Sequence, residues 1–188
     1  MPTLATRTDP PWTGVLLARG RSRRMGRDKA GLVWNGRTLL ELQSQRLADA
    51  GARRVLVSGD YPQHQGVPDL RPEQGPLGGL QAVAEQIEDG PLVVLAIDMP
   101  QVTPELLATL ARTPARSAHY RGHILPLRIE LDPALRAWLR DSHRRPPAER
   151  SLRALFAECG GIILPLPEDG ERLLANCNTP EEWEALAP

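Results

Sequence analysis

Two sets of residues in this 188-residue chain have the types that phosphate chemistry needs. The first is a cationic loop. Six basic residues, Arg19, Arg21, Arg23, Arg24, Arg27 and Lys29, stand within the eleven positions from Arg19 to Lys29. The second is a set of acids: Asp98 in "LAIDMP", with Asp60 after "RRVLVSG" and Asp69 ahead of "GPLGG". A nucleoside triphosphate carries several negative charges and is held by backbone N–H groups and cationic side chains. It also needs a divalent cation, and Mg²⁺ keeps much of its water, so one or two carboxylates suffice to hold it. A cationic loop together with a lone acid therefore matches nucleotidyl transfer. In that reaction an acceptor phosphate attacks the α-phosphorus, pyrophosphate leaves, and the protein mainly positions groups and neutralises charge. The loop would supply the cations and Asp98 the metal ligand.

These residues sit at the ends of recognisable elements. "TGVLLA" (13–18) is a short apolar run opening into the basic loop, as a buried strand would. "TLLELQSQRLADAG" (38–51) places Leu39, Leu40, Leu42, Leu47 and Ala50 on one helical face, and Gly51 stops it. "RRVLVSG" (53–59) is a second strand, and residues 75–90 form a helix opened by Gly75 and Pro76. Residues 91–100 form the strongest strand, ending in Asp98 and blocked by Pro100. A helix over 103–111 has Thr103 as N-cap and Pro104 in its first turn. Beyond residue 114 the pattern predicts strands at 117–121, 123–129, 161–165 and 172–175, helices at 132–141, 150–159 and 179–186, and a mobile loop at 140–150.

Strands alternating with helices imply an α/β fold: a three-layer, Rossmann-like, mainly parallel sheet with helices on both faces. Ligands bind such sheets beyond the carboxyl ends of the strands, where the basic loop, Asp60, Asp69 and Asp98 all fall. Each feature alone has a purely structural explanation: a solvated basic face, a capped turn at "DMP", a tight turn at "GPLGG". Their convergence on one sheet edge is what speaks for a site.

Composition narrows the classes. Basic and acidic residues balance, 23 against 23, so the chain as a whole is no general polyanion binder and nucleic acid is not an expected partner. No apolar run approaches membrane-spanning length, and the N-terminus lacks a secretory h-region. Two cysteines, Cys159 and Cys177, suit a reducing compartment, so a cytoplasmic location is expected. His64, His119, His123 and His143 are too scattered for a zinc site. Neither GxxxxGK[ST] nor GxGxxG occurs, which disfavours a P-loop enzyme and a dinucleotide oxidoreductase. One nucleotidyltransferase domain spanning the chain is expected, with residues 1–12 as a frayed N-terminal arm.

"LARGRSRRMGRDKA" resembles the "LAGGxSxRMGxDKA" signature of the nucleotidyltransferases typified by the molybdenum cofactor guanylyltransferases. "DLRPEQGPLGGL", "LAIDMPQVTPELLATL", "HILPL" (123–127) and "LANCNTPEEW" (174–183) resemble further segments of that family, in its order, over roughly residues 13 to 186. The resemblance implies the nucleotide-diphospho-sugar transferase type of fold. It also implies transfer of GMP from GTP to the terminal phosphate of molybdopterin with Mg²⁺ as cofactor, and molybdoenzyme chaperones or apoenzymes as candidate partners.

Carried over by motif, Leu17, Ala18 and Gly20 line the nucleotide, with Arg19 in the same loop. Arg24 and Lys29 contact phosphates, Asp69 helps read the base with Asp60 nearby, and Asp98 holds Mg²⁺. Asn176 and Asn178 face the pterin side or the metal-bound phosphates. The loop departs from the family at Arg19, where a glycine is usual; Gly20 retains the close backbone approach and Arg19 is expected to turn outward. Two alternatives remain open at this point: a related transferase using CTP or another acceptor phosphate, and a weakly catalytic nucleotide or cofactor carrier.

Overall fold

The computed structural model describes residues 10–18, 28–71 and 74–186. The chain begins with β1 (Thr13–Leu17) and continues, beyond the basic loop, into a 3₁₀ turn at Lys29–Gly31. A small hairpin of β2 (Val33–Trp34) and β3 (Arg37–Thr38) leads into α1 (Leu39–Asp49). Then come β4 (Arg54–Ser58), β5 (Gly66–Val67), α2 (Gly75–Ala84), β6 (Gly90–Ala96) and α3 (Pro104–Ala111). The second half holds β7 (Ser117–Tyr120), β8 (His123–Leu131), α4 (Pro133–Asp141), α5 (Leu152–Cys159), β9 (Ile162–Leu164), α6 (Gly170–Leu173) and α7 (Pro180–Leu186).

Seven strands form one sheet in the order β5-β4-β1-β6-β8-β7-β9. β5, β4, β1 and β6 run parallel, β8 is antiparallel to β6 and to β7, and β9 runs parallel to β7. The expected mainly parallel α/β architecture is therefore present. From β1 the chain moves outward to β4 and β5, then crosses back to β6 on the other side. This reversal makes a topological switch point between β1 and β6, the place beyond whose carboxyl ends open α/β sheets bind ligands.

Alternation along the central strands explains both the apolar runs and the layering. Leu16, Val57, Val93 and Leu95 pack with Leu39, Leu47, Leu107 and Leu110 on the face covered by α1 and α3. Val15, Leu17, Leu56, Leu92 and Val94 point the other way, packing with Leu80, Val83, Leu135 and Leu155 under α2, α4 and α5. A strand buried on both faces needs no polar positions, which is why "GVLL" and "LVVL" read as unbroken apolar runs. Polar N-caps set the helix starts. Thr38 and Glu41 form a reciprocal capping box on α1, and Thr103, Asp132 and Ser151 each accept from the backbone three residues on.

Several expected boundaries move. Trp12, placed in the arm by the sequence, is buried in the core, and its carbonyl accepts from Arg53 N at 2.9 Å; residues 1–9 lie outside the described residues. α2 ends at Ala84 rather than 90, and β6 ends at Ala96, which puts Asp98 in a turn. The strand expected at 172–175 is instead the end of α6, which stops at Leu173, and the turn that follows it. Gly170 lacks the Cβ that would meet the Leu166 side chain at 2.5 Å, so a helical turn fits there and buries Leu174. The expected mobile loop at 140–150 is two 3₁₀ turns, Ser142–Arg144 and Pro147–Glu149. Ser142 Oγ donates to the Leu139 carbonyl, Arg150 Nε donates to the Arg145 carbonyl, and the Arg145 guanidinium lies 4.7 Å from the Trp138 ring centre.

The "GPLGG" glycines have a packing reason as well as a turn. Gly75 starts α2 at φ +60°, which glycine adopts freely. A Cβ on Gly79 would lie 2.0 Å from Ser58 Oγ and 2.9 Å from Ser58 Cβ, so the helix can approach the end of β4 only without a side chain there. Gly79→Ala should therefore destabilise the protein by about 1–3 kcal/mol through overpacking. Gly31→Ala, where a Cβ meets nothing within 4 Å, should not. Urea unfolding of the two variants checks this; equal midpoints would remove the close approach as the reason for Gly79.

Candidate functional site

The basic loop re-enters the described structure at Asp28, which caps the following 3₁₀ turn: its Oδ1 accepts from Ala30 N at 3.0 Å. Tyr61 Oη, from the segment after β4, donates to the same carboxylate at 3.2 and 3.3 Å. The turn carries Lys29 inward, leaving it 8% exposed. Its Nζ donates to Asp98 Oδ2 at 2.8 Å, to the Cys177 carbonyl at 2.7 Å and to Asn178 Oδ1 at 3.0 Å. A lysine is among the residues least often buried unless paired, and here a carboxylate and two neutral oxygens surround the ammonium.

Asp98 lies in the turn after β6, with its side chain 16% exposed. That turn is held from behind by α1. Gln43 Nε2 donates to the Met99 carbonyl at 2.6 Å, and Arg46 Nη1 donates to the Pro100 carbonyl at 2.7 Å. Sequence reasoning missed both residues, although a signal was there. Gln43 stands midway between Leu39 and Leu47 at helical spacing, a polar residue in an apolar stripe, and it is fully buried. Leu42, expected on that face, is only partly buried. A buried amide requires a partner, and the "DMP" carbonyl provides it.

The C-terminal segment closes the arrangement. Cys177 N donates to the Asp98 carbonyl at 2.8 Å, next to the bonds from Lys29. Thr179 and Glu182 cap α7 reciprocally: Thr179 Oγ1 accepts from Glu182 N at 3.2 Å, while Glu182 Oε2 accepts from Asn178 N at 2.6 Å and Thr179 N at 3.2 Å. Thr179 thus caps α7 beside the contact of Asn178 with Lys29. Trp183 packs edge-on against buried Trp34 of the β2–β3 hairpin, ring centres 5.1 Å apart. Cys177 is buried, and desolvation, with lesser contributions from the Asp98 and Glu182 carboxylates, pushes its thiol up to about 11. It is a packed thiol rather than a nucleophile.

Of the residues singled out in the sequence, the structure joins Lys29, Asp98 and Asn178 directly, with Asn176 exposed one residue ahead of Cys177. Asp69 is half-buried beside the first turn of α2, where a Cβ on Gly79 would lie 3.6 Å from its Oδ1. Asp60 is exposed in the bend after β4. The Leu17 and Ala18 side chains are buried in opposite cores, and the Leu17 carbonyl accepts from Ile97 N at 3.1 Å. Their side chains fill the protein, so contact with a ligand at that point falls to backbone. Arg19, Gly20 and Arg24 lie outside the described residues.

Asp98 is the acid whose donor capacity would suit a Mg²⁺ ion shared with substrate phosphates. A carboxylate offers about four lone-pair sites, Lys29 takes one of those on Asp98, and the side chain keeps some exposure. Among the described residues no group of three or more His, Cys, Asp or Glu side chains could cage a metal, and Mg²⁺ bound jointly with phosphates does not require one. No described helix is long and apolar enough to cross a membrane. A cavity of about 580 Å³ lies at the opposite, amino end of the strands, beside Trp12, Arg53, Arg54, Glu88 and Asp89. Convergent chemistry, rather than cavity size, selects the carboxyl edge.

The comparisons with known proteins agree with this geometry. The family described as "MobA-like NTP transferase domain" matches residues 14–160. The chain is 43% identical over 180 residues, 94% of each protein, to a protein of Xanthomonas euvesicatoria pv. vesicatoria named molybdenum cofactor guanylyltransferase. It is 34% identical, over 91% of each, to one of the same name from Pseudomonas fluorescens. Among solved structures, a nucleotidyl transferase from Methanothermobacter thermautotroptrophicus superposes with a TM-score of 0.73 over 94% of this chain and 96% of that one, at 18% identity. That last likeness is one of fold. With the sequence matched through the basic loop, the "DMP" turn and the central strands, the chain belongs to the MobA-like NTP transferase family.

Proposed function

We propose that this protein transfers GMP from GTP to the terminal phosphate of molybdopterin, forming the guanine dinucleotide cofactor and pyrophosphate. The observation that carries the reading is the junction of Lys29, Asp98 and Asn178. Three motif segments, separated by 69 and 149 residues from Lys29, meet beside the switch point of the sheet. The choice of guanine and of a molybdopterin acceptor is supported by the shared name of the relatives.

In the reaction an oxygen of the acceptor phosphate forms a bond to the α-phosphorus of GTP. The bond from that phosphorus to the bridging oxygen breaks, and pyrophosphate leaves with the electron pair. Negative charge spreads over the transferring group and the leaving oxygens, so the protein's task is to meet it with fixed cations and donors. The basic loop from Arg19 to Lys29 supplies that charge, with Arg24 among its phosphate contacts and Gly20 allowing close backbone approach. Asp69, beside the start of α2, and Asp60, after β4, stand on the base side. Asn176 and Asn178 stand on the acceptor side. Asp98 would hold Mg²⁺, which when bound adds neutralising charge at the phosphates. The turn bearing Asp98 is pinned by Gln43 and Arg46, so its carboxylate is placed before substrate arrives.

With molybdopterin present, GTP should release pyrophosphate at least about tenfold faster than CTP, a discrimination within reach of a few base contacts. Equal rates would contradict the base assignment, and no release with either triphosphate would contradict transfer. Asp98→Asn should lower Mg²⁺-dependent turnover by about 10²-fold or more. It should shift the melting temperature by only about 2–4 °C, because the amide oxygen can still accept from Lys29. A variant that keeps wild-type turnover would remove Asp98 from the site.

A further inference from the structure

The turn that carries Asp98 closes without help from α1. Val102 N donates to the Met99 carbonyl at 3.2 Å, and Ile97 N donates to the Leu17 carbonyl at 3.1 Å, tying the end of β6 to the end of β1. The bonds from α1 come in addition and from a different element. Gln43 Nε2 meets the Met99 carbonyl and Arg46 Nη1 the Pro100 carbonyl, one and two residues beyond Asp98. The same Nη1 lies 3.4 Å from Gln43 Oε1. A guanidinium can only donate, so it holds the amide oxygen and leaves the NH₂ group facing Met99.

Core packing alone does not call for these two side chains. Gln43 is fully buried between Leu39 and Leu47, where an apolar residue would fill the stripe with no amide to satisfy. Among the described residues the Arg46 side chain bonds to neutral oxygens alone, and desolvation holds its pKa below the usual arginine value. What the pair adds is a fixed distance between α1, anchored in the core by Leu39 and Leu47, and the backbone that follows Asp98. We propose that Gln43 and Arg46 act as one unit of positioning residues that sets the aim of the Asp98 carboxylate, and through it the affinity for a divalent cation shared with the triphosphate. The proposal rests on the function proposed above. Mg²⁺ demands near-ideal geometry at short range, and a misplacement of about 1 Å at a reacting centre costs about 10²-fold in rate.

Mn²⁺, which takes the same oxygen ligands, is the probe. Its dissociation constant from the ternary complex with a non-hydrolysable GTP analogue is read by electron paramagnetic resonance. In Gln43→Met that constant should rise at least about fivefold and kcat for GMP transfer should fall at least about tenfold. KM for GTP at saturating Mg²⁺ should stay within about threefold. The melting temperature should stay within about 4 °C of the wild type, because the Met99 carbonyl keeps Val102 N and the volume changes little. Arg46→Met should act in the same direction, and Arg46→Lys, which can still donate to the Pro100 carbonyl, should recover most of the loss. In the double variant the loss should be smaller than the product of the single losses.

Asp132→Ala is the control. It removes the α4 cap, where Oδ1 accepts from Leu135 N at 2.8 Å, at the sheet edge where Leu131 pairs with Gly90 at the start of β6. It should lower the melting temperature and leave Mn²⁺ affinity unchanged. Mn²⁺ affinity within twofold of the wild type in Gln43→Met would make Gln43 a core residue and overturn the proposal. Equal weakening in Asp132→Ala would overturn it by making the effect one of general stability, and fully multiplicative losses in the double variant would dissolve the unit. Wild-type protein that binds Mn²⁺ with the analogue but transfers no GMP would overturn the preceding reading instead, while the Mn²⁺ ratios still decide the positioning role. No Mn²⁺ in the wild-type complex would overturn both.

Discussion

A charged amine buried to 8% exposure imposes a constraint that the rest of this site answers. Leaving such a group without partners costs several kcal/mol, so wherever Lys29 goes, acceptors must follow. The structure brings them from two remote places, the turn after β6 and the loop before α7. One ammonium thereby couples the three segments. The backbone bond from Cys177 N to the Asp98 carbonyl and the Trp34–Trp183 contact reinforce the same junction from either side.

The sheet explains why these segments can meet. β1 and β6 are adjacent and parallel although α1, β4 and α2 separate them in sequence, so the residues that follow them emerge side by side. The 3₁₀ turn beyond the basic loop delivers the Lys29 ammonium and the turn after β6 delivers a carboxylate. α1 supports that turn through Gln43 and Arg46, and α2 approaches β4 closely enough at Gly79 to set Asp69 at the same edge. α1 and α3 cover one face of the sheet and α2, α4 and α5 the other, so these segments meet at the strand ends.

Much of this was legible in the sequence, for identifiable reasons. Doubly buried strands such as "GVLL" and "LVVL" announce themselves by their unbroken apolar character, and Thr103 marks a helix start because a cap needs a side-chain oxygen at that point. The motif residues Lys29, Asp98 and Asn178 were identifiable one by one. Their mutual contact was not, because hydrogen bonds across 69 to 149 residues leave no local pattern. Nor was the burial of Lys29, since sequence shows its charge and not its partners. "RLLA" read as a strand because two leucines fit either period; the close approach at Gly170 decided for a helix. The 140–150 segment looked mobile from its prolines and charges, yet Arg145 finds Trp138 and Arg150 finds the Arg145 carbonyl, contacts that composition cannot reveal.

The central claim is that one site, built by the basic loop, the Asp98 turn and the C-terminal loop, binds the triphosphate for transfer. A crystal structure of the protein with Mg²⁺ and a non-hydrolysable GTP analogue tests it most directly. The account predicts the α-phosphate beyond the carboxyl ends of β1 and β6, within reach of the Lys29 turn, and a metal on Asp98. A nucleotide seated elsewhere, or a metal bound away from Asp98, would contradict it.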